Sequence, residues 1–563
     1  MKILQLDVES IEYEPVEPEI KVHDKAERKS TRISGALALF VSVERGDTDA
    51  YASKAVKDAV DFAKKQKIAN MVIYPFAHIS DDLEEPQRAM NLLDYMAKEA
   101  GKSKLQVHKA PFGWNKRLSF ATRGHPLAET LKSYGAAEKS KGAPKQRKYD
   151  VSLVRKADWA GLPENDHRSI AERMDLFSFQ EVSPGMVYWH PKGFIIFDEL
   201  VKYIKETLNN YGYQVIAAPS MADTALWSVS GHIDHFRENM FIFEANDHEL
   251  GMKPMGCPFA MMIYKSRSRS YRELPMRLAD FDRLYRNEIS GALSGLFRVR
   301  ELTQDDAHIF VTEEQIEEEL VVLLKLVHEF YSRFGLDYKP KLSTMPDSHL
   351  GTEEMWEKAT DALKKALKRN GMKYEVKEKE GAFYGPKIDY DIKDSLGREW
   401  QCATVQLDYQ LPQRFGLRYA GEDGKEHTPV VIHRVIYGSL ERFLGVLIEH
   451  LNGRFPTWLS PVQARVITVS EQANEYAYEL YDRLKKEGIR VDADASDKTI
   501  EYKIREAQMQ KIPYMIVLGK KEAESKKVSV RSRSGKQRMG IGADEFISMI
   551  KKEISERSSD QPF

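Results

Sequence analysis

The chain has 563 residues, 42% of them apolar and 30% charged, with a net charge of −1. This is the balance of an ordinary globular protein of about three or four domains. Two cysteines exclude a disulfide framework and fit a reducing compartment. The sequence has no run of about 18 apolar residues to span a membrane. The first residues, "MKILQLDVES", alternate like a strand and lack the unbroken apolar stretch of a signal peptide. A cytoplasmic location is expected. A net charge near zero neither favours nor excludes nucleic acid, because local patches decide that.

In chain order, "GALALFVSVE" (35–44) and "MVIYPF" (71–76) read as strands, with a helix over 48–66 between them. "KLQVHKAPF" (104–112) and "RLSFATRG" (117–124) are further strands. "GAAEKSKGAPKQRK" (135–148) has a linker's composition, which gives an α/β domain over 1–135 and a linker over 136–160. The middle region, 161–461, holds the helix "EEQIEEELVVLLKLVHEFYSRFG", with Ile316, Leu320, Leu323, Val327, Phe330 and Phe334 on one stripe and Gly335 as its stop. Strand-like "IAAPS" and "GREWQCATVQLDY" occur without a βαβ rhythm, so a mainly antiparallel sheet with flanking helices is predicted. Over 462–563, "ARVITVS", a helix, "IRVDAD", a helix and "YMIVLG" alternate, which predicts a small, mostly parallel α/β sheet.

The chemistry concentrates in the middle region. "YRNEISGALSGLFRVRELTQDDAHIF" (285–310) reads as two strands joined by "EISGALSG" and carries Arg286, Glu288, Arg298, Arg300, Gln304, Asp305, Asp306 and His308. Charged hairpins are commonly just solvated, but arginine at this density suits phosphate, which its planar fork binds in a bidentate manner. "AFYGPKIDY" (382–390) and "TVQLDY" (404–409) set polar residues among apolar ones. "VVIHRVIYGSLERFLGVLIEH" (430–450) passes from strand to helix, with Glu441 and Arg442 at the helix start. Arg442 is either a surface charge or, if buried, needs an anionic partner. Cys257, in "PMGCP" (254–258), reads as a core filler, a nucleophile or a metal ligand, and Cys402 as a packed strand residue.

These segments resemble the signature motifs of class II aminoacyl-tRNA synthetases: "VIAAPS" with Pro219, the "RNE…RVR" loop, and "GSLERF" with Arg442. With "PMGCP", "TQDDAH", "AFYGPKID", "ATVQLDY" and "IHRVIYGSLERF", the chain from about Asp166 onward is similar to the threonyl-tRNA synthetase family. The resemblance implies ATP-dependent activation of L-threonine and its transfer to tRNA(Thr) by a homodimer formed around Pro219. It implies Zn2+ on Cys257, His308 and His433, with the fourth position open to substrate. The zinc is expected to bind the amino and hydroxyl groups of threonine and so to exclude valine, which a hydrocarbon pocket separates only about a hundredfold. Met255, Gln304, Asp306, Tyr384, Gln406 and Ser439 are implied around the substrate. Arg286, Glu288, Arg298, Gln401 and Arg442 are implied around ATP and its Mg2+, with Lys387 near the α-phosphate and His232 near the tRNA ribose. An inactive RNA-binding paralogue is the rival reading, which the full arginine and zinc sets oppose.

The last hundred residues resemble the family's anticodon-binding domain, and Arg505, Glu522 and Arg531 match positions that contact the anticodon. Asp497 stands where bacterial members often carry Asn. Serine lacks only one methyl group of threonine, worth about 1–3 kcal/mol in a pocket, so an editing site is needed. Residues 1–133 resemble the archaeal-type editing domain, which is similar to D-aminoacyl-tRNA deacylases. The matching residues are His78 in "YPFAHIS", Lys116 in "APFGWNKRLSF" and Glu129 in "GHPLAE". Asn115 departs from the tyrosine common in archaeal members, and a first domain that binds tRNA without editing is the alternative.

Overall fold

The computed structural model describes residues 1–80, 82–123, 128–134, 159, 161–394 and 397–559. The chain divides into two compact units, Met1–Lys148 and Tyr149–Phe563. The linker expected over 136–160 lies outside the described residues, Trp159 apart.

The first unit runs β1 (Lys2–Pro18), β2 (Thr31–Ser42), α1 (Asp49–Gln66), β3 (Asn70–Pro75), α2 (Pro86–Gly101), β4 (Gln106–Lys109), β5 (Trp114–Thr122) and β6 (Glu129–Ser133). Its six-stranded sheet has the order β4-β3-β2-β1-β5, with β6 also on β1. β2, β3 and β4 are parallel, and β1 is antiparallel to its neighbours. The helix α1 forms because Ala52, Ala55, Val56, Ala59, Val60 and Ala63 recur at helical spacing and bury one stripe. α2 is an addition to the predicted elements. Pro86 starts it, and Ala89, Leu92, Leu93, Met96 and Ala100 bury its inner face. Both helices cover one face of the sheet. The other face packs Leu6, Val8, Tyr13, Phe40 and Tyr74.

The second unit begins with α3 (His167–Met174), α4 (Pro191–Asn210), β7 (Gln214–Val215) and α5 (Cys257–Lys265). It continues with β8 (Met276–Ala279), β9 (Ala307–Val311), α6 (Ile316–Arg333), β10 (Tyr338–Ser343), α7 (Glu353–Arg369) and β11 (Glu375–Lys377). Then follow β12 (Lys387–Lys393), β13 (Glu399–Asp408), β14 (Val430–Val435) and α8 (Leu440–His450). Its eight strands have the order β11-β10-β12-β13-β14-β9-β8-β7. Only the outer pairs β10/β11 and β7/β8 are parallel, so the sheet is mainly antiparallel, as the missing βαβ rhythm predicts. The predicted stripe of α6 is buried throughout, and the chain leaves the helix through Gly335 at φ +63°. "IAAPS" forms a strand only at its approach, over Gln214–Val215.

The C-terminal segment adds β15 (Ala464–Thr468), α9 (Asn474–Lys486), β16 (Val491–Asp494), α10 (Ile500–Met509), β17 (Tyr514–Leu518), α11 (Lys520–Ser525), β18 (Lys527–Ser532), β19 (Gln537–Gly542) and α12 (Ala543–Ser555). β15, β16 and β17 are parallel, as predicted. The stretch after Leu518 is rich in lysine and arginine. It folds into α11 and the antiparallel strands β18 and β19, which make the sheet mixed. Among the described residues no helix is long and apolar enough to cross a membrane.

Candidate active site and metal centre

Register builds the site. Lys387 on β12 faces Gln406 on β13, Gln406 faces His433 on β14, and His433 faces His308 on β9. Paired residues share a face of the sheet, so these four side chains form one row across it. The cavity over that face has a volume of about 670 Å³. Met255, Cys257, Arg286, Glu288, Arg298, Gln304, Asp306, Tyr384, Lys387, Gln401, Gln406, His433, Ser439 and Arg442 line it. Two expected site residues stand behind the wall. His308 is fully buried beneath it, and His232 is buried next to Phe383 and Tyr384, at ring distances of 5.5 and 6.3 Å.

At one end, Cys257, the first residue of α5, approaches His308 and His433 so that one ligand atom from each lies within 4.8 Å of the others. His433 Nε2 donates to Asp408 Oδ2 at 2.8 Å, which leaves its Nδ1 without a hydrogen-bond partner among the described residues. Neither nitrogen of His308 has one either. Buried imidazole nitrogens without partners are costly. A thiol and two histidines with unused lone pairs are the donor set zinc takes, and the carboxylate behind His433 fixes its tautomer. Burial pushes the Cys257 thiol well above its ordinary range and His308 well below it. Both therefore stay neutral until a cation draws on them. Asp306 is also buried, and burial raises it to about 6 against the pull of His433 and Arg434. The Tyr384 hydroxyl donates to Gln406 Oε1 at 2.6 Å.

The other end is cationic. The strands Arg283–Tyr285 and Glu301–Thr303 pair, but each has only three residues, so Arg286 and Arg298 stand beyond the ladder. Arg298 pairs with Glu288 at 3.0 Å and Lys387 with Asp389 at 2.8 Å. Burial pushes Arg286 down, and the nearby Arg442 guanidinium adds to this. Arg442 is lowered chiefly by burial too, with Arg298 adding to it. These guanidiniums stay charged and crowd one another, so an anion there is favourable. Arg442 is not the plain surface charge of a helix start. It donates from Nε to Phe297 O and from Nη1 to Gln401 O, both at 2.9 Å. Ser439 caps α8 by accepting from Arg442 N at 3.2 Å. Gln401 Nε2 donates to Asp389 Oδ1 at 2.6 Å.

Several residues given no site role from the sequence also shape the cavity. Glu441, raised to about 7 by burial, accepts from Thr303 N and from Ser439 Oγ, tying the arginine hairpin to α8. Asp305 accepts from Ile436 N and Tyr437 N, both at 2.9 Å, and pairs with buried Arg434. Cys402, read as plain strand packing, is buried but reaches the cavity wall, where burial lifts its thiol to about 12. Asp408 lies in "TVQLDY" and Glu441 in "GSLERF", so the motifs contain both, but the donors each one meets come from segments distant in sequence.

In the first unit, Lys116 Nζ donates to Pro111 O and Trp114 O at 2.9 and 2.8 Å and lies 5.0 Å from the Tyr74 ring. Burial lowers it to about 8. His78 meets the Phe76 ring edge-on at 5.0 Å, and Phe76 and Tyr74 are neighbours in one aromatic row. Glu129 is exposed on β6 opposite Leu6, with no described contact to either. In the C-terminal sheet, Arg505 is exposed on α10 and Arg531 is half-buried on β18. Glu522 is engaged locally: it caps Gly519 N at 3.0 Å and accepts from Ser529 Oγ at 2.8 Å.

Residues 240–451 match the family model described as the tRNA synthetase class II core domain (G, H, P, S and T). Residues 1–134 match the archaea-specific editing domain of threonyl-tRNA synthetase, and residues 463–553 an anticodon binding domain. The chain is 52% identical over 395 residues to a threonine–tRNA ligase of Thermotoga neapolitana, covering 70% of this chain and 62% of that protein. It is 49% identical over 420 residues to one of Caldanaerobacter subterraneus, covering 73% and 65%. The matched region thus spans less than two thirds of the length of these curated relatives. The crystal structure of the RNA binding domain of a threonyl-tRNA synthetase from Cryptosporidium parvum superposes with a TM-score of 0.67 at 44% identity, over 69% of this chain and 98% of that one. A prolyl-tRNA synthetase of the same organism shares the fold, with a TM-score of 0.54 at 17% identity over 69% of this chain and 75% of that one. The chain belongs to the threonyl-tRNA synthetase family of class II aminoacyl-tRNA synthetases and carries an N-terminal domain of the archaeal editing type.

Proposed function

We propose that this chain activates L-threonine with ATP and transfers it to the 3′ end of tRNA(Thr), with hydrolytic editing of seryl-tRNA(Thr). The observation that carries the reading is one cavity with a Cys/His/Asp end suited to an amino alcohol and an arginine end suited to a polyphosphate. A threonine carboxylate oxygen attacks the α-phosphorus, the bond to pyrophosphate breaks, and threonyl-adenylate remains. Arg286 receives the α-phosphate and steers the carboxylate, Arg298, Glu288 and Gln401 hold the nucleotide, and Arg442 holds the γ-phosphate. Fixed charges in a site closed from water stabilise the developing charge more than solvent does. Lys387 adds charge near the α-phosphate, tempered by its pairing with Asp389. Mg2+ accompanies ATP.

Cys257, His308 and His433 would hold zinc, which when bound supplies coordination for the amino and hydroxyl groups of threonine that valine cannot satisfy. Asp306 accepts from the substrate hydroxyl, and Tyr384, Gln406, Gln304, Met255 and Ser439 fix the pocket around it. In the transfer step a terminal ribose hydroxyl attacks the adenylate carbonyl, its proton passes to the departing AMP phosphate, and AMP leaves, with His232 supporting that hydroxyl from behind Tyr384. Serine fits the same pocket at a loss of about 1–3 kcal/mol. The first unit is therefore assigned to editing, with Lys116 and His78 beside the aromatic row and Glu129 on β6. Arg505, Glu522 and Arg531 are assigned to the anticodon. Domains of 1–135, 161–461 and 462–563 follow from this division of labour.

Exposed Val215 and Met221 flank Pro219 in sequence and support a homodimer through that region. Two unpaired cysteines suit a cytoplasmic location. The test is threonine-dependent exchange of pyrophosphate into ATP by the full chain loaded with zinc. No exchange in a folded, zinc-loaded sample rejects the proposal. Hydrolysis of seryl-tRNA(Thr), lost in Lys116→Ala, tests editing separately.

A further inference from the structure

A second buried cluster of acids and histidine, Asp166, His167 and Glu449, lies outside the cavity lining. His167, at the start of α3, is completely buried. Its backbone N and Nδ1 meet Glu449 Oε1 at 3.2 and 2.8 Å. Its Nε2 faces Leu296 N at 3.1 Å. A backbone N–H can only donate, so Nε2 is the acceptor and the proton sits on Nδ1, donated to Glu449. Both ring nitrogens are engaged, so this cluster is not a metal site but a fixed strut.

The strut joins two parts of the candidate active site. Glu449 lies in the last turn of α8, and Arg442 in its first. Leu296 precedes Phe297 and Arg298, which line the cavity. Phe297 O accepts from Arg442 Nε at 2.9 Å, and the Phe297 ring stacks on Trp400 at 4.4 Å. The fit is close on both sides. A Cβ on Gly295, which has φ +50°, would stand 2.2 Å from His167 Nε2. One on Gly445 of α8 would stand 3.1 Å from the Phe297 ring. The loop is thus fastened to both ends of α8, by Arg442 at one and by Glu449 through His167 at the other.

We propose that His167, oriented by Glu449, is a positioning residue that sets the Leu296–Arg298 loop on α8 and so the shape of the nucleotide end of the cavity. This rests on the adenylation reading above. A ligand at that end feels the loop directly, whereas the Cys/His end is built on β9, β14 and the start of α5 and does not.

The experiment is pyrophosphate exchange by the full zinc-loaded chain, with ATP and threonine varied separately. His167→Phe keeps a ring and removes both the acceptor for Leu296 N and the donor to Glu449. It should raise the KM for ATP about tenfold, the weight of the one lost hydrogen bond that reaches the loop, and leave the KM for threonine within about twofold. His167→Gln, whose amide oxygen can accept from Leu296 N, should recover most of the loss. Equal changes in both KM values, or no recovery with Gln, would overturn the proposal, because a merely structural role treats both substrates alike. If His167→Phe does not fold, Gly295→Ala crowds the same imidazole from the loop side and should give the same ATP-selective change, and an unchanged KM for ATP in that variant refutes it. Hydrogen exchange of peptides over 290–300 should quicken in either variant, independently of activity. If the wild-type chain shows no exchange activity, calorimetric ATP binding replaces the KM, so failure of the adenylation reading stays distinct from failure of the strut.

Discussion

Asp408 offers the sharpest test of how the proposed metal centre is prepared. Its Oδ1 accepts from Gln410 N at 2.7 Å and Leu411 N at 3.0 Å, and its Oδ2 from His433 Nε2 at 2.8 Å. In Asp408→Asn the amide oxygen can keep the two backbone donors, but its NH2 then faces His433 Nε2. Two donors cannot pair, so the imidazole must shift its proton to Nδ1, the nitrogen that faces Cys257 and His308. That removes the lone pair a metal needs. Losing a carboxylate partner of a ligating histidine costs roughly 10–100-fold in metal affinity, or about 1.4–2.7 kcal/mol. The fold should lose only about 1 kcal/mol, because the number of hydrogen bonds is kept. Asp408→Ala strips all three and leaves two backbone donors unpaired, each at about 1–3 kcal/mol, so it should be far less stable. Competition of the purified variants with a calibrated zinc chelator, with urea unfolding alongside, separates the two effects. Zinc affinity in Asp408→Asn equal to that of the wild type would refute the tautomer reasoning. Loss of stability as large as in the Ala variant would show that the carboxylate serves the fold and not the imidazole.

Other outcomes follow from the same geometry. Cys257→Ala should lower zinc from one per chain to none by atomic absorption, and full metal content in that variant would reassign the ligands. Lys116, held near 8 against its ordinary 10.5, should become reactive toward acetic anhydride about two pH units before the exposed lysines, and competitive labelling across pH 7–11 measures this. The sign for stability is fixed by the same shift. Between about pH 8 and 10.5 the unfolded chain binds more protons, so the contribution of Lys116 to stability rises with pH across that window and is lowest below it. Gly438→Ala meets Cys402 O at 2.3 Å from a backbone at φ +73°. It should cost about 2 kcal/mol or more in urea unfolding and, by displacing Ser439, weaken pyrophosphate exchange.

The sequence by itself carried the local code. The stripe from Ile316 to Phe334 specifies its helix because side chains three and four apart share a face, and no tertiary contact is needed to read that. The alternation after Ala464 likewise specifies parallel strands, although not the antiparallel pair that follows, since the lysines and arginines of β18 and β19 mask their periodicity. Motifs marked Cys257, His308 and His433 as candidate ligands, and the fold brings the three together. That His308 and His433 share a row, with Gln406 and Lys387 continuing it, was decided by strand register, which joins residues more than a hundred positions apart. The partners of these groups were decided the same way. Asp408 reaches His433, Glu441 reaches Thr303, and Glu449 reaches His167 across 282 residues. A buried carboxylate looks the same in sequence whatever it touches, and only the fold supplies the donor that makes its burial tolerable.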